Sequence, residues 1–414
     1  MSLASSLSAA SGSQHCASIS VQKHLIVLVH GYLGNDKEMG YVQEALEREA
    51  TLSPSEGIVV YSASSNVGRT TDVSFVGWQY CTLCLGCAGS VACFRLTYSL
   101  QGIVAGGSRL AVEVLEKVQS YEPDNVTLSF VGNSLGGLYA RYAISKLAQH
   151  ACIVPKLFCT TATPHLGVSE HTFIPVPKWA EWAIGNTMGP TGRDLFLYST
   201  IVRDMATEEV FLAPLRRFQY RVAYANAFGT DFQVPTSTAA FLSASDTPHY
   251  IIDRPTQGSI VLRVETKELA TPATTTTTTT TTIATTTDMA ASLDGVGWTK
   301  VFCDVRRDLP TPSIPNPFAS ADVALQEAPS VWTSKQLLNT VGRRMTDRFH
   351  VPIGHSLMVA NSKSDWYSKL NANGRPIMDQ LAKELIQKLT EVEQECEAAV
   401  HAPGGVQESH PSVS

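Results

Sequence analysis

Directly after the apolar run VTLSFV (126–131) the chain reads Gly132-Asn133-Ser134-Leu135-Gly136-Gly137. This is G-x-S-x-G in a strand–turn–helix setting, where a serine is lifted clear of a sheet to act as a nucleophile. Gly132 and Gly136 have a steric reason to be small. The turn is sharp, and side chains two residues to either side of Ser134 would collide. A helix that opens at such a turn aims its positive end at the site and favours a developing negative charge. The same letters also occur in glycine-rich turns that do no chemistry, so the partners decide the reading.

A second turn supplies one partner. The run HLIVLVH (24–30) ends in His30-Gly31-Tyr32-Leu33-Gly34. An HG-x-x-G segment after an early strand is where hydrolases of this architecture place an oxyanion donor. The hole then uses the backbone N–H of Leu135 and that of Tyr32, with Leu33 as second choice. Removing one such donor commonly costs about 10²–10³ in rate. His30 itself is expected to be a core histidine that hydrogen-bonds the loop, not a base.

The acid and base are sought downstream in the order Ser, Asp, His. Asp231 follows the run YRVAYA in YANAFGTDFQVP and stands on a post-strand loop. Its rivals are Asp194 and Asp204 in an insertion, and Asp246 and Asp253 further on. A loop aspartate is usually a turn former, but the strand-end position favours Asp231. For the base, His355 follows a Pro-x-Gly turn and opens the apolar segment SLMVA, and this favours it over His350. Such a triad performs acyl transfer to Ser134, then hydrolysis of the acyl-enzyme. It needs no metal and no organic cofactor.

The elements that must position these residues are legible as an alternation. His24–His30, Gly57–Tyr61, Val126–Val131, Lys156–Thr161, Tyr220–Ala225 and Trp298–Val305 read as short apolar strands. Asp36–Ala50, Gly106–Ser120, Leu135–Gln149 and Pro376–Glu397 carry helical spacing. The pattern predicts an α/β fold with a mainly parallel sheet flanked by helices, and ligands at the carboxyl ends of its strands. Residues 165–219 break the alternation with Trp179, Trp182, Ile184, Leu195, Tyr198, Ile201, Val202 and Met205. They predict a helical cap insertion, which can pack on the sheet or serve as a lid with apolar residues toward substrate.

Composition removes other classes. The 414 residues are 44% hydrophobic and only 16% charged, with a net charge of −6. No basic excess exists for phosphate contacts, so no nucleic-acid partner is expected. The chain is too apolar to be disordered throughout. Its nine cysteines are odd in number and unevenly spaced, which argues against a disulfide scaffold. Residues 1–20 are Ser/Ala-rich without Lys or Arg. They lack the basic and apolar regions of a secretory signal and read as a disordered tail, as do residues 401–414. An intracellular, cytoplasmic location follows as the expectation. Oligomeric state is not readable.

With these residues assembled, the chain resembles the putative serine esterase family (domain of unknown function 676) of lipase-like α/β-hydrolases. The matching segments are LVHGYLGN (28–35), FVGNSLGGLYARYA (130–143), TTATPHLG (160–167), YANAFGTDFQVPTSTA (224–239) and FHVPIGHSLMV (349–359). On the family pattern Ser134, Asp231 and His355 form the triad. The resemblance implies an α/β-hydrolase fold, hydrolysis of lipid carboxylic esters, and peripheral association with lipid droplets or membranes. A thioesterase or small-ester hydrolase uses the same triad, and a catalytically silent scaffold is the rival from another class.

Two segments depart from that pattern within the single domain expected over 21–400. The family runs from a Thr-x-Asp-Gly segment straight into its Gly-Gly helix, whereas here residues 73–101 intervene. They fit a membrane span, a metal or cluster site at Cys81, Cys84, Cys87 and Cys93, a flexible apolar cap, or a translated intron. The last accounts for most: Val73-Ser74 and Leu100-Gln101 can be encoded by sequences resembling splice sites. Excision of the 29 residues restores RTTDGIVAGGSRLAVEV. The second departure is nine consecutive threonines, Thr274–Thr282, whose low-complexity surroundings over 266–292 are expected to loop out.

Overall fold

The computed structural model describes residues 23–54, 57–67, 100–121, 126–172, 176–246, 249–254, 258–269, 283–310, 314–315, 330–342, 348–349 and 351–401. In chain order the elements are β1 (Lys23–Val29), α1 (Gly40–Leu52), β2 (Ile58–Ser62), α2 (Ile103–Gln119), β3 (Val126–Asn133) and α3 (Leu135–Leu147). After β4 (Ile153–Thr161) come the short helices α4 (Lys178–Thr187), α5 (Gly189–Leu195), α6 (Ile201–Thr207) and α7 (Glu209–Arg216). Next follow β5 (Tyr220–Asn226), α8 (Thr236–Ala239), β6 (His249–Asp253), β7 (Ile260–Glu265), α9 (Thr286–Asp294) and β8 (Thr299–Cys303). The chain closes with β9 (Ile314–Pro315), β10 (Val331–Thr333), α10 (Ser334–Leu337), β11 (Arg348–Phe349), α11 (Gly354–Met358), α12 (Asp365–Leu370) and α13 (Arg375–His401).

The continuous apolar runs are strands buried on both faces. In β1, Leu25, Val27 and Val29 enter one core with Leu110, Val114 and Leu138 of α2 and α3. Ile26 and Leu28 enter the other, with Val42 and Leu46 of α1 and Leu381 and Leu385 of α13. Two helical layers therefore sandwich one nine-stranded sheet of order β10-β6-β7-β8-β5-β4-β3-β1-β2. From β2 to β8 the strands are parallel. This mainly parallel, helix-flanked sheet is the expected α/β-hydrolase fold. β7, β6 and β10 extend it antiparallel, an edge that the alternation of strands and helices did not foretell. The signal for β7 was present, since IVLRVE has a period of two and alternates buried with half-buried. β9 and β11 pair separately.

Several boundaries differ for physical reasons. α1 was expected from Asp36 but starts at Gly40, because Asn35 turns the chain. Its side chain accepts from Lys37 N–H and its carbonyl from Glu38 N–H. α2 starts at Ile103, earlier than Gly106, because the insertion caps it. Thr191 Oγ1 accepts from Gly102 N–H at 2.9 Å, and Asp194 takes Ile103 N–H at 2.8 Å. The threonine flank is not all loop: Thr285 and Asp288 form a capping box that opens α9, which buries Met289, Ala290 and Leu293. The N-terminal tail, the threonines themselves, residues 402–414, His350 and residues 73–99 of the insert lie outside the described residues.

The insertion between β4 and β5 is helical, and it divides its roles. Val202 and Met205 of α6 and Leu212 and Leu215 of α7 are buried in the α3-side core. α4 instead leaves Trp179 75% and Trp182 60% exposed. No described helix is long and apolar enough to cross a membrane.

Candidate active site

Ser134 sits where β3 ends and α3 begins, with φ 54° and ψ −127°. Few non-glycine residues adopt this conformation, and it stores strain that surrounding structure must hold. Two glycines make the hold possible. A Cβ on Gly136 would lie 2.1 Å from the Val29 carbonyl oxygen, and one on Gly132 would lie 2.5 Å from Gly137 Cα. The helix start is thereby pressed against both β1 and β3. Ser134 N–H donates to Thr161 O at 2.8 Å, which ties the turn to β4. Leu135 is the first residue of α3, so its N–H has no acceptor within the helix and faces the turn.

The second turn lies beside the first. Gly34 N–H donates to Gly31 O across Tyr32 and Leu33, and Leu33 has φ 53°. Tyr32 is the second position of this four-residue turn, where its N–H is not used by the turn itself. His30 is buried, and its Nδ1 lies 3.0 Å from the Gly31 carbonyl oxygen. That is the loop-holding arrangement expected of it.

Asp231 and His355, distant in sequence, meet at 2.9 Å through Asp231 Oδ2 and His355 Nδ1. The loops that carry them are stitched together by backbone. Asp231 and Ile353 form an antiparallel bridge, Gly354 N–H donates to Thr230 O, and Phe232 N–H donates to Pro352 O, both at 2.8 Å. The carboxylate is saturated. Oδ1 accepts from the N–H groups of Gln233 and Val234, and Oδ2 also accepts from Asn226 Nδ2 at 3.0 Å. Such bonding fixes the carboxylate's orientation. The His355 ring is buried. Burial opposes its charged form, but the charge and hydrogen bond of Asp231, with the charge of Glu38, outweigh this and hold its pKa above the ordinary histidine value. Because Nδ1 faces the acid, Nε2 is the ring atom left for a nucleophile. Among the described residues no hydrogen bond joins Ser134 Oγ to the ring, a contact that commonly tightens only with substrate in place. Two of the four rival acids are occupied elsewhere: Asp194 caps α2, and Asp204 accepts from Thr200 Oγ1 at the start of α6.

Two functional neighbours were not read from the sequence. Asn226 ends β5 and orients Asp231. Glu38 is a buried carboxylate whose Oε1 accepts from Gly31 N–H at 2.9 Å and from Asn133 Nδ2 at 2.8 Å. Asn133 in turn accepts from Thr161 Oγ1 at 3.0 Å. Behind the turn, Arg141 Nη1 donates to His165 Nδ1 at 3.2 Å, and His165 Nε2 reaches Thr160 Oγ1 at 3.0 Å. Arg141 Nη2 donates to the Met205 carbonyl at 2.5 Å, which fastens the cap to the elbow helix. Burial, with the nearby cations, keeps His165 neutral. No group of described residues could hold a metal ion.

Comparison with known proteins places this geometry in context. The family model of Putative serine esterase (DUF676) matches residues 20–85 and 92–245, and its interruption falls within the 73–101 insert. The Saccharomyces cerevisiae protein "Putative lipase ROG1" is 28% identical over 235 residues, covering 53% of this chain and 29% of the relative. "Putative lipase YDL109C" from the same yeast is 25% identical over 236 residues, covering 54% and 31%. The chain thus spans less than a third of the length of the curated relatives it matches. Among solved structures, the propeptide form of Bacillus licheniformis lipase BlEst2 aligns with a TM-score of 0.31 at 16% identity, over 50% of this chain and 38% of that one. Phospholipase PlaB from Legionella pneumophila, with thio-NAD, aligns with a TM-score of 0.32 at 12% identity, over the same shares.

Proposed function

The chain belongs to the putative serine esterase family (DUF676), and on that premise we propose that it is a serine hydrolase cleaving carboxylic esters of lipids, an acylglycerol or a phospholipid, through an acyl-enzyme on Ser134. The observation that carries the proposal is the 2.9 Å pairing of His355 with Asp231. It leaves Nε2 as the proton acceptor at the same strand ends as the Ser134 turn.

In this mechanism His355 Nε2 takes the Ser134 Oγ proton as Oγ attacks the ester carbonyl carbon. The carbonyl oxygen becomes an oxyanion held by the N–H groups of Leu135 and Tyr32. The alcohol departs with the proton from His355. Water then enters, gives a proton to His355 and attacks the acyl carbon, and the acid leaves as His355 returns that proton to Ser134 Oγ.

Lipid esters are favoured by the rim of the site. Leu33, Phe232, Val351 and Ile353, each within two residues of Tyr32, Asp231 or His355 or four of the latter, are exposed apolar side chains. With Trp179 and Trp182 on α4 they suit an acyl chain and peripheral contact with a lipid surface. A panel of chromogenic, thioester and lipid-ester substrates, with pre-steady-state kinetics, tests the proposal. The expected result is a burst of alcohol release equal to the enzyme, with long-chain esters preferred. Hydrolysis confined to thioesters or short esters favours the alternative on the same triad, and no turnover by folded protein favours a silent scaffold.

A further inference from the structure

Glu38 lies in the turn before α1 and is only 4% exposed. It touches the two turns that carry Tyr32 and Ser134, and the segment that follows His355. Through Oε1 it takes the N–H of Gly31, which opens the oxyanion turn, and Nδ2 of Asn133, the residue before the nucleophile. Through its backbone carbonyl it takes Ser362 N–H at 3.1 Å, in the segment that follows His355. Ser362 Oγ closes the link by donating to Lys37 O and accepting from Tyr41 N–H.

Burying a carboxylate costs free energy unless a cation or strong donors compensate. No salt bridge to Glu38 is formed among the described residues, so the carboxylate is held by neutral donors alone. A glutamine oxygen accepts the same two bonds without a charge, so the hydrogen bonds do not require a carboxylate. Around Glu38, Asp36 and Lys37 are exposed and His30 is buried.

We propose that Glu38 is a positioning residue that locks the oxyanion turn to the nucleophile turn through the two hydrogen bonds its side chain accepts. This rests on the hydrolase reading above. Glu38 acts through those two turns and never touches substrate.

The test is the rate of fluorophosphonate labelling against pH, measured on the full chain for wild type, Glu38→Gln and Glu38→Asp, with Ser134→Ala as the blank. Wild type must first label at Ser134; if it does not, the hydrolase reading has failed, and Glu38 is not what failed. Given labelling, Glu38→Gln, whose amide oxygen accepts the same two bonds, is expected to keep a plateau rate within about twofold of wild type, while Glu38→Asp, whose shorter side chain withdraws from Gly31 and Asn133, is expected to lose about tenfold as the oxyanion turn loosens. An unchanged plateau in Glu38→Asp overturns the positioning role, and so does a tenfold loss in folded Glu38→Gln. Should Glu38→Gln not fold, the Glu38→Asp plateau still decides.

Discussion

His355 bears the burden of the chemistry, and its surroundings set the pH at which it can act. Burial favours the neutral ring, but Asp231, aided by Glu38, tips the balance toward the proton. With its pKa raised above the usual histidine value, the ring holds its proton to higher pH, so kcat/KM is expected to rise with pH through a midpoint above about 6.5. The same shift stabilises the fold below the unfolded histidine pKa, a contribution lost as pH rises through the folded value. Asp231→Asn should lower that midpoint and reduce kcat by about 10⁴, read from a pH–rate series. At this scale the sequence was informative where a residue sits in a local pattern. Ser134 is marked by its flanking glycines, and Asp231 by the strand before it. Asn226 and Glu38 have no such mark. Asn226 matters because the Asp231 loop folds back on it, and Glu38 because Asn35 turns the chain and points it inward. Both are products of tertiary folding.

The turn at Ser134 is an element that pays for its function in strain. A side chain at φ 54° and ψ −127° is costly, and glycine adopts that backbone at less expense. Ser134→Gly is therefore expected to be more stable than Ser134→Ala by about 1 kcal/mol, both being inactive. Chemical denaturation of the two variants checks this, and equal stability contradicts a strained turn. The elements most legible in the sequence were the two-sided strands and the long amphipathic helices, whose apolar period is set by burial alone. Less legible were ends fixed from outside, as where Thr191 and Asp194 of the insertion cap α2. The antiparallel strands β6 and β10 are short, and their pairing is a property of the sheet rather than of their letters.

Across the whole molecule, α9 is pinned to the sheet by a fully buried ion pair, Lys300 Nζ to Asp294 Oδ1 at 2.5 Å. Tyr250 donates to the same carboxylate at 2.9 Å, and the ammonium lies 4.0 Å from the centre of the Phe241 ring. Burial raises the Asp294 pKa and lowers that of Lys300, each opposed by its partner. Removing one member strands the other charge, so Asp294→Ala is expected to cost about 3–5 kcal/mol, and adding Lys300→Met should recover much of it. Thermal unfolding of the single and double variants measures both. The cap makes a separate prediction, since its two exposed tryptophans belong to the proposed lipid-facing surface. Replacing Trp179 and Trp182 by alanine should weaken co-sedimentation with phosphatidylcholine vesicles at least tenfold while leaving hydrolysis of a soluble short ester intact. Unchanged sedimentation places the lipid-facing surface elsewhere.

The central claim is that Ser134 is a nucleophile driven by His355. It is tested most directly by fluorophosphonate labelling of the purified chain with peptide mapping of the adduct. One phosphonyl group is expected on Ser134, none in Ser134→Ala, and labelling slowed by at least about 10³ in His355→Ala. Folded protein that takes up no label, or label that persists in Ser134→Ala, would contradict it.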